Sequence, residues 1–297
     1  MKRTNGERAP DLSDHLRDSL KKLWRRYRKR LKRCRKEFSE EAVHQLRIET
    51  RRLLAKLDLL AALLPRARVN KARRLLKERL DAFDPLRDTQ VKLLATEKLL
   101  KRFPEARPFR ETLQRRERRL ARDVSRRLRR CGTRKIAKAV TRMDKQIRRV
   151  LNGSAATRQE IVATVNAAFG QVVARKQAID GADTTTIHAT RVAFKKFRYM
   201  LESLQPVLPL ATDRRLETMQ RYQSSMGDIQ DSEVLLAGVK GFVQKRHPEK
   251  SLKRLQAALV RRRILLIRRY LRSADELFSF WPLTGESKNA NATKPEL

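Results

Sequence analysis

Acidic residues are in short supply: 33 Asp and Glu face 73 Lys and Arg along 297 residues. The resulting formal charge of +40 repels itself unless counterions or an anionic partner compensate it. Cysteine is nearly absent. Cys34 and Cys131 have no CxxC neighbour and no local His pair, which excludes a zinc site or a disulfide framework. With only 9 Gly and 10 Pro, the chain has few helix breakers, and Leu, Ala, Arg, Lys and Glu favour helix throughout. No window approaches 18 uninterrupted apolar residues, so nothing is expected to span a membrane, and no membrane partner is expected. The opening MKRTNGERAPDLSD has no apolar run and does not read as a signal peptide. There is no H-E-x-x-H, no Gly-rich phosphate loop and no nucleophile paired with a histidine, so the chain reads as a non-enzyme without a cofactor.

What is present is charge, and it is uneven. Residues 1–150 carry 49 Lys and Arg against 19 Asp and Glu, a net of +30; residues 151–297 carry 24 against 14, a net of +10. Nucleic acid, an anionic membrane surface and an inorganic polyanion are the partner classes such a field attracts. Readers of single-stranded nucleic acid interleave aromatics with cations for base stacking, and aromatics make up 5% of this chain. Phe169 and Phe197 fall on core faces, which leaves Tyr199 as the one residue placed to stack on a base. Nucleic acid therefore stands as the alternative to an all-phosphate ligand.

The order of elements is a basic arm, a helix from Ser13 or Asp14 to about Phe38, and a second helix opened by Ser39 and closed by Pro65. A third stretch from Val69 to Arg102 has an irregularity at Asp84-Pro85, and a fourth from Pro108 breaks at Cys131-Gly132. After a linker at 152–156 the order returns: Thr157–Ile179, a helix capped by Asp183, Thr212–Lys245 and Glu249–Phe278. The expected units are residues 12–151 and 157–281, with disordered tails at 1–11 and 282–297.

The second helix carries the main signal. On a wheel of 100° per residue, Leu46, Leu53, Leu57, Leu60 and Leu64 gather within about 60°. His44, Arg47, Arg51 and Asp58 gather opposite them. A shift of 144 residues turns these four into His188, Arg191, Lys195 and Glu202, and Leu53, Leu57, Leu60 and Leu64 into Phe197, Leu201, Leu204 and Leu208. Leu86-Arg-Asp-Thr-Gln-Val91 recurs as Ile229-Gln-Asp-Ser-Glu-Val234, keeping Asp88 as Asp231. A weaker echo aligns Arg119 and Arg126 with Arg261 and Arg268. The economical reading is all-α, with two four-helix bundles made by duplication.

Most basic residues, such as Lys21 and Arg73, read as a solvated face, and His15 and His247 as structural. The repeated set reads differently. Arginines one turn apart suit a row of phosphates, because each guanidinium can bind two oxygens and stays charged. Arg52 and Lys196 would widen the groove, and Asp58, Asp88, Glu202 and Asp231 would hold the cations in place. Metal binding at His44 and His188 is disfavoured by their cationic neighbours.

The duplicated V/I-H-x-x-R-I/V-x-x-R/K-R/K motif, each copy followed by L/I-x-D-x-x-V, resembles the CHAD domain, the conserved histidine α-helical domain, over about residues 12 to 281. The resemblance implies two four-helix bundles about a pseudo-twofold axis with a basic central cleft. It also implies binding of inorganic polyphosphate and a cytoplasmic place on polyphosphate granules, beside other phosphate-metabolism proteins. Some members carry a CYTH triphosphatase domain; without its ExExK motif and room for its barrel, this chain is expected to be a stand-alone binding module. Motif positions carried over are His44, Arg47, Arg51 and Arg52, then His188, Arg191, Lys195 and Lys196. Thr190 stands where the pattern has leucine, and Gln230 where it has arginine, so the second copy is expected to grip phosphate less firmly.

Overall fold

The computed structural model describes residues 11–130, 132–150, 155–246 and 252–282. Residues 1–10 and 283–297 of the expected tails, most of the linker, Cys131 and His247 lie outside the described residues, while Asp11 and Pro282 are described. Among the described residues ten α-helices occur in order: α1 Leu12–Glu37, α2 Glu40–Leu63, α3 Arg66–Ala82, α4 Asp84–Leu99, α5 Arg107–Arg130, α6 Arg134–Val150, α7 Ala155–Gln177, α8 Thr184–Leu204, α9 Asp213–Arg246 and α10 Lys253–Ser273. Single 3-10 segments sit at Pro104–Ala106 and Ala274–Ser279, and no strand occurs among the described residues.

Local chemistry explains the boundaries. The cap of α1 is Asp11, earlier than Ser13 or Asp14, and its carboxylate accepts from the N–H groups of both. Phe38 closes α1 at φ 47, a left-handed conformation held by its N–H bonding to the Cys34 carbonyl. Ser39 caps α2, Pro65 separates α2 from α3, and Asp183 caps α8. Phe83 marks the break between α3 and α4, with Pro85 placed in the first turn of α4, where its missing N–H is harmless.

Four helices form a closed inner ring, with α2 on α4, α4 on α9, α9 on α8 and α8 back on α2. Around it, α1 and α3 cover α2, with α6 packed on α1 and α3; α7 covers α8; α5 backs α4 and α10 backs α9. The apolar face foreseen for α2 is buried throughout, as are Phe197, Leu201, Leu204 and Leu208 of α8.

The cores do not divide at the linker. The larger one runs from Leu16 and Tyr27 of α1 through α2 to Phe169 of α7 and Phe197 of α8. The smaller joins Phe103, Phe109 and Leu113 of the first half to Leu235, Val239, Leu255 and Leu259 of the second. Each repeat alone would leave the apolar side of α4 and α5, or of α9 and α10, without its partner, so the halves interlock.

Candidate basic cleft between the repeats

The two motif helices, α2 and α8, sit beside each other in the ring. A cavity of about 250 Å³ opens between α2, α3 and α8, lined among others by Arg51, Asp58, Asp84, Lys195, Lys196 and Tyr199; Arg191 is outside its lining but in the fields of Arg51 and Lys195. Its carboxylates are already committed. Asp58 bridges Arg73 (2.6 Å) and Lys196 (3.2 Å), Asp81 holds Lys77 (2.8 Å), and Asp84 holds Arg47 (2.5 Å). Arg73, expected to be merely solvated, is therefore part of the wall.

The motif cations fall into two groups. Arg47 is buried, and its Nη1 also donates to the Leu80 carbonyl at 3.0 Å, so α2 is tied by this side chain to the α3–α4 junction. Arg52 is shared between Glu49 (2.9 Å) and Glu202 (2.6 Å), pointing to the far side of the α2–α8 contact. Those two, with Lys196, are spoken for. Arg51, Arg191 and Lys195 make no ion pair or hydrogen bond to any described residue. Burial together with Arg47 pushes Arg51 down to about 10, which still leaves it charged at neutral pH. Burial lowers Arg191 as well, against the opposing pull of Asp231. Lys195 is buried, and burial followed by the fields of Arg51, Arg191, Arg47 and Arg198 pushes it down to about 6.

The histidines sit at the ring's α4 and α9 wall. Half-buried His44 lies near Arg87, and burial and then that guanidinium hold it below its ordinary value. His188 is more exposed and hydrogen-bonds Gln230; burial, Arg191 and Lys195 outweigh that bond and lower it too. Arg87 and Gln230 are equivalent positions of the two copies, so each histidine meets the residue before its own motif aspartate. Arg87 is itself paired with Glu40 at the start of α2.

The acidic positions do less than expected for the free cations. Asp58 serves Arg73 and Lys196, and Glu202 serves Arg52 and Arg198. Asp88 and Asp231 form no ion pair among the described residues; burial raises both carboxyls above their ordinary value. Arg119, Arg126, Arg261 and Arg268 are exposed on α5 and α10 and do not line the cavity; Arg126 instead pairs with Asp123 at 2.6 Å. Tyr199 is not free to stack on a base. It is 5% exposed, with Arg198 over its ring at 4.6 Å and Arg52 at 5.9 Å.

Three positions missed in the sequence matter here. Asp84 and Gly227 occupy equivalent places, because the shift of 143 that pairs Asp88 with Asp231 pairs them too. Asp84 neutralises Arg47, whereas Arg191 lies over Gly227, where an added Cβ would stand 3.4 Å from its Nη2. Lys56 is the third. It is fully buried, its Nζ has no hydrogen-bond partner, and burial pushes it down to about 7. Thr190, the other departure from the motif, has a structural explanation: its hydroxyl reaches the carbonyls of Thr186 and, in α7, Arg175, both at 3.0 Å.

Among the described residues no group of three His, Cys, Asp or Glu is arranged to hold a metal, and no helix is long and apolar enough to cross a membrane. No curated protein sequence matches the chain. The structure is similar to the crystal structure of the CHAD domain from the plant Ricinus communis, with a TM-score of 0.62 and 17% identity over 92% of this chain and 95% of that one. At that identity the likeness speaks for the fold. The family assignment comes from the sequence itself, since the CHAD domain model matches residues 18–240, and this chain belongs to the CHAD domain family.

Proposed function

We propose that this protein binds inorganic polyphosphate in the cleft between α2 and α8, without catalysing its turnover. One observation carries the reading: Arg51, Arg191 and Lys195 lie in one another's fields, partly or wholly buried, with no carboxylate paired to any of them. Such a cluster is costly when empty and is relieved by an anion with several charges in a row. A chain of phosphates supplies them at short intervals, and guanidinium groups bind phosphate oxygens through charge-assisted hydrogen bonds. Cations fixed by carboxylates on the cavity wall, such as Lys77 and Arg73, shape the site and hold little affinity in reserve. The occupied faces of Tyr199 argue for a ligand without bases. Attachment to polyphosphate granules in the cytoplasm, beside other phosphate-metabolism proteins, follows from this reading.

The test is competition at physiological salt between long-chain polyphosphate and single-stranded RNA of equal total charge. Polyphosphate is expected to hold the site, and displacement by RNA at matched concentration would overturn the reading. Arg51→Glu with Arg191→Glu is expected to weaken polyphosphate binding by at least about 100-fold, against a few-fold for Arg119→Glu with Arg261→Glu. Equal losses from the two pairs would reduce the cleft to diffuse attraction. Phosphate release above a no-protein control, in the presence of a divalent metal, would instead mark an enzyme.

A further inference from the structure

Of the three unpaired cations in the cleft, one differs in kind. Arg51 and Arg191 keep their protons across the neutral range, where a guanidinium stays charged even when burial lowers it. Lys195 is able to give its proton up, and its surroundings favour that. On α2 it faces Arg47 and Arg51, and on its own helix Arg191 and Arg198. From α3, Arg73 and Lys77 line the same cavity. The carboxylates that share this space are engaged elsewhere: Asp58 by Arg73 and Lys196, Asp81 by Lys77, Asp84 by Arg47. Asp231 of α9 is in the field of Lys195 but pairs with nothing, and Asp228 lies near Arg191. An ammonium here gains no hydrogen bond and meets four guanidinium groups. A bound phosphate chain reverses the balance by bringing negative charge to the amine and screening those guanidinium groups.

We propose that Lys195 is an uncharged amine in the empty cleft and takes up a proton from solvent when a phosphate chain binds, so that affinity falls as pH rises. The inference rests on the polyphosphate reading above and adds a proton to it. The cleft then responds to pH through a lysine, while the motif histidines, both held below their ordinary value, stay neutral over the same range. Lys56 is the other lysine pushed strongly down, but it is fully buried and does not line the cleft.

The decisive measurement is titration calorimetry of the full chain with long-chain polyphosphate at about pH 8, in buffers of differing ionisation heat. Uptake approaching one proton per protein is expected, with affinity falling about tenfold per pH unit above neutrality. Lys195→Met is expected to abolish the uptake, and Lys195→Arg to abolish it while binding tightly at every pH. Lys56→Met should leave the uptake intact. No uptake in the natural protein, or full uptake in Lys195→Met, overturns the proposal.

A ligand-free arm separates this proposal from the binding reading itself. Competitive acetylation of the protein without polyphosphate should show Lys195 reacting as a free amine near neutral pH. A reactivity profile like that of an exposed lysine overturns the proposal even if polyphosphate binds. If polyphosphate fails to bind while the labelling profile is as expected, the binder reading falls and the titration of Lys195 stands.

Discussion

α2 and α8 carry the same motif, and the structure uses the two copies differently. In α2, Arg47 is neutralised by Asp84 and Arg52 by Glu49 and Glu202, leaving Arg51 free. In α8, Arg191 lies over a glycine and Lys195 over no acid, and of its motif cations Lys196 alone is paired among the described residues. The half with the smaller net charge therefore supplies two of the three unpaired cations. The expectation that the second copy grips phosphate less firmly followed from net charge and motif departures. On the proposed polyphosphate reading the unpaired cations point the other way, because affinity then depends on cations without local partners. A guanidinium already held at 2.5 Å by a carboxylate has little left to offer a ligand.

Exchanging residues between equivalent positions tests this comparison. The largest effect is expected from Lys56→Met, which copies Met200 of α8 into α2. Lys56 lies below the free lysine value of 10.5, so its cost to the fold is full below about pH 7 and vanishes as pH rises past 10.5. Urea melts should therefore show a gain of roughly 2–5 kcal/mol at about pH 6 that shrinks at alkaline pH, with phosphate binding unchanged. An unaltered stability would mean that the amine already finds a partner.

Next is Gly227→Asp, which copies Asp84. A carboxylate beside Arg191 should weaken polyphosphate binding by about tenfold, as read by fluorescence titration. Unchanged affinity would remove Arg191 from the site. The converse, Asp84→Gly, should free Arg47 and tighten binding a few-fold while costing about 1–2 kcal/mol of stability, because the buried guanidinium keeps only the Leu80 carbonyl. The smallest effect is expected from Gln230→Arg, which gives His188 the neighbour His44 has. A gain of about two- to threefold in affinity is expected, along with a further fall in the His188 pKa by NMR. A rise in that pKa would show that the new arginine turns elsewhere.

Much of the fold was legible beforehand. Proline and small polar residues announced most helix ends, and the leucine period of α2 predicted its buried side. The breaks at Phe83 and after Arg130 fell where Asp84-Pro85 and Cys131-Gly132 had placed them. The exchange of Asp84 for Gly227 was legible too, since the repeat alignment passes through both, but an aspartate four residues before the motif aspartate carries no signal until its partner is known. Other relations left no trace. Arg119 and Arg261 align as an echo of the repeat, yet they decorate outer helices. Lys56 looks like one more charge on a basic helix until α1, α2 and α8 are seen to meet around it.

The sequence by itself determined an all-helical chain with a repeated histidine and cation motif, because period, capping and repetition are local properties of the chain. Only the tertiary structure decided which cations are available. Pairing depends on contacts between helices far apart in sequence, such as Arg52 of α2 with Glu202 of α8. It also decided that the two repeats share their cores, since the apolar surfaces of α4 and α5 find their complement only on α9 and α10.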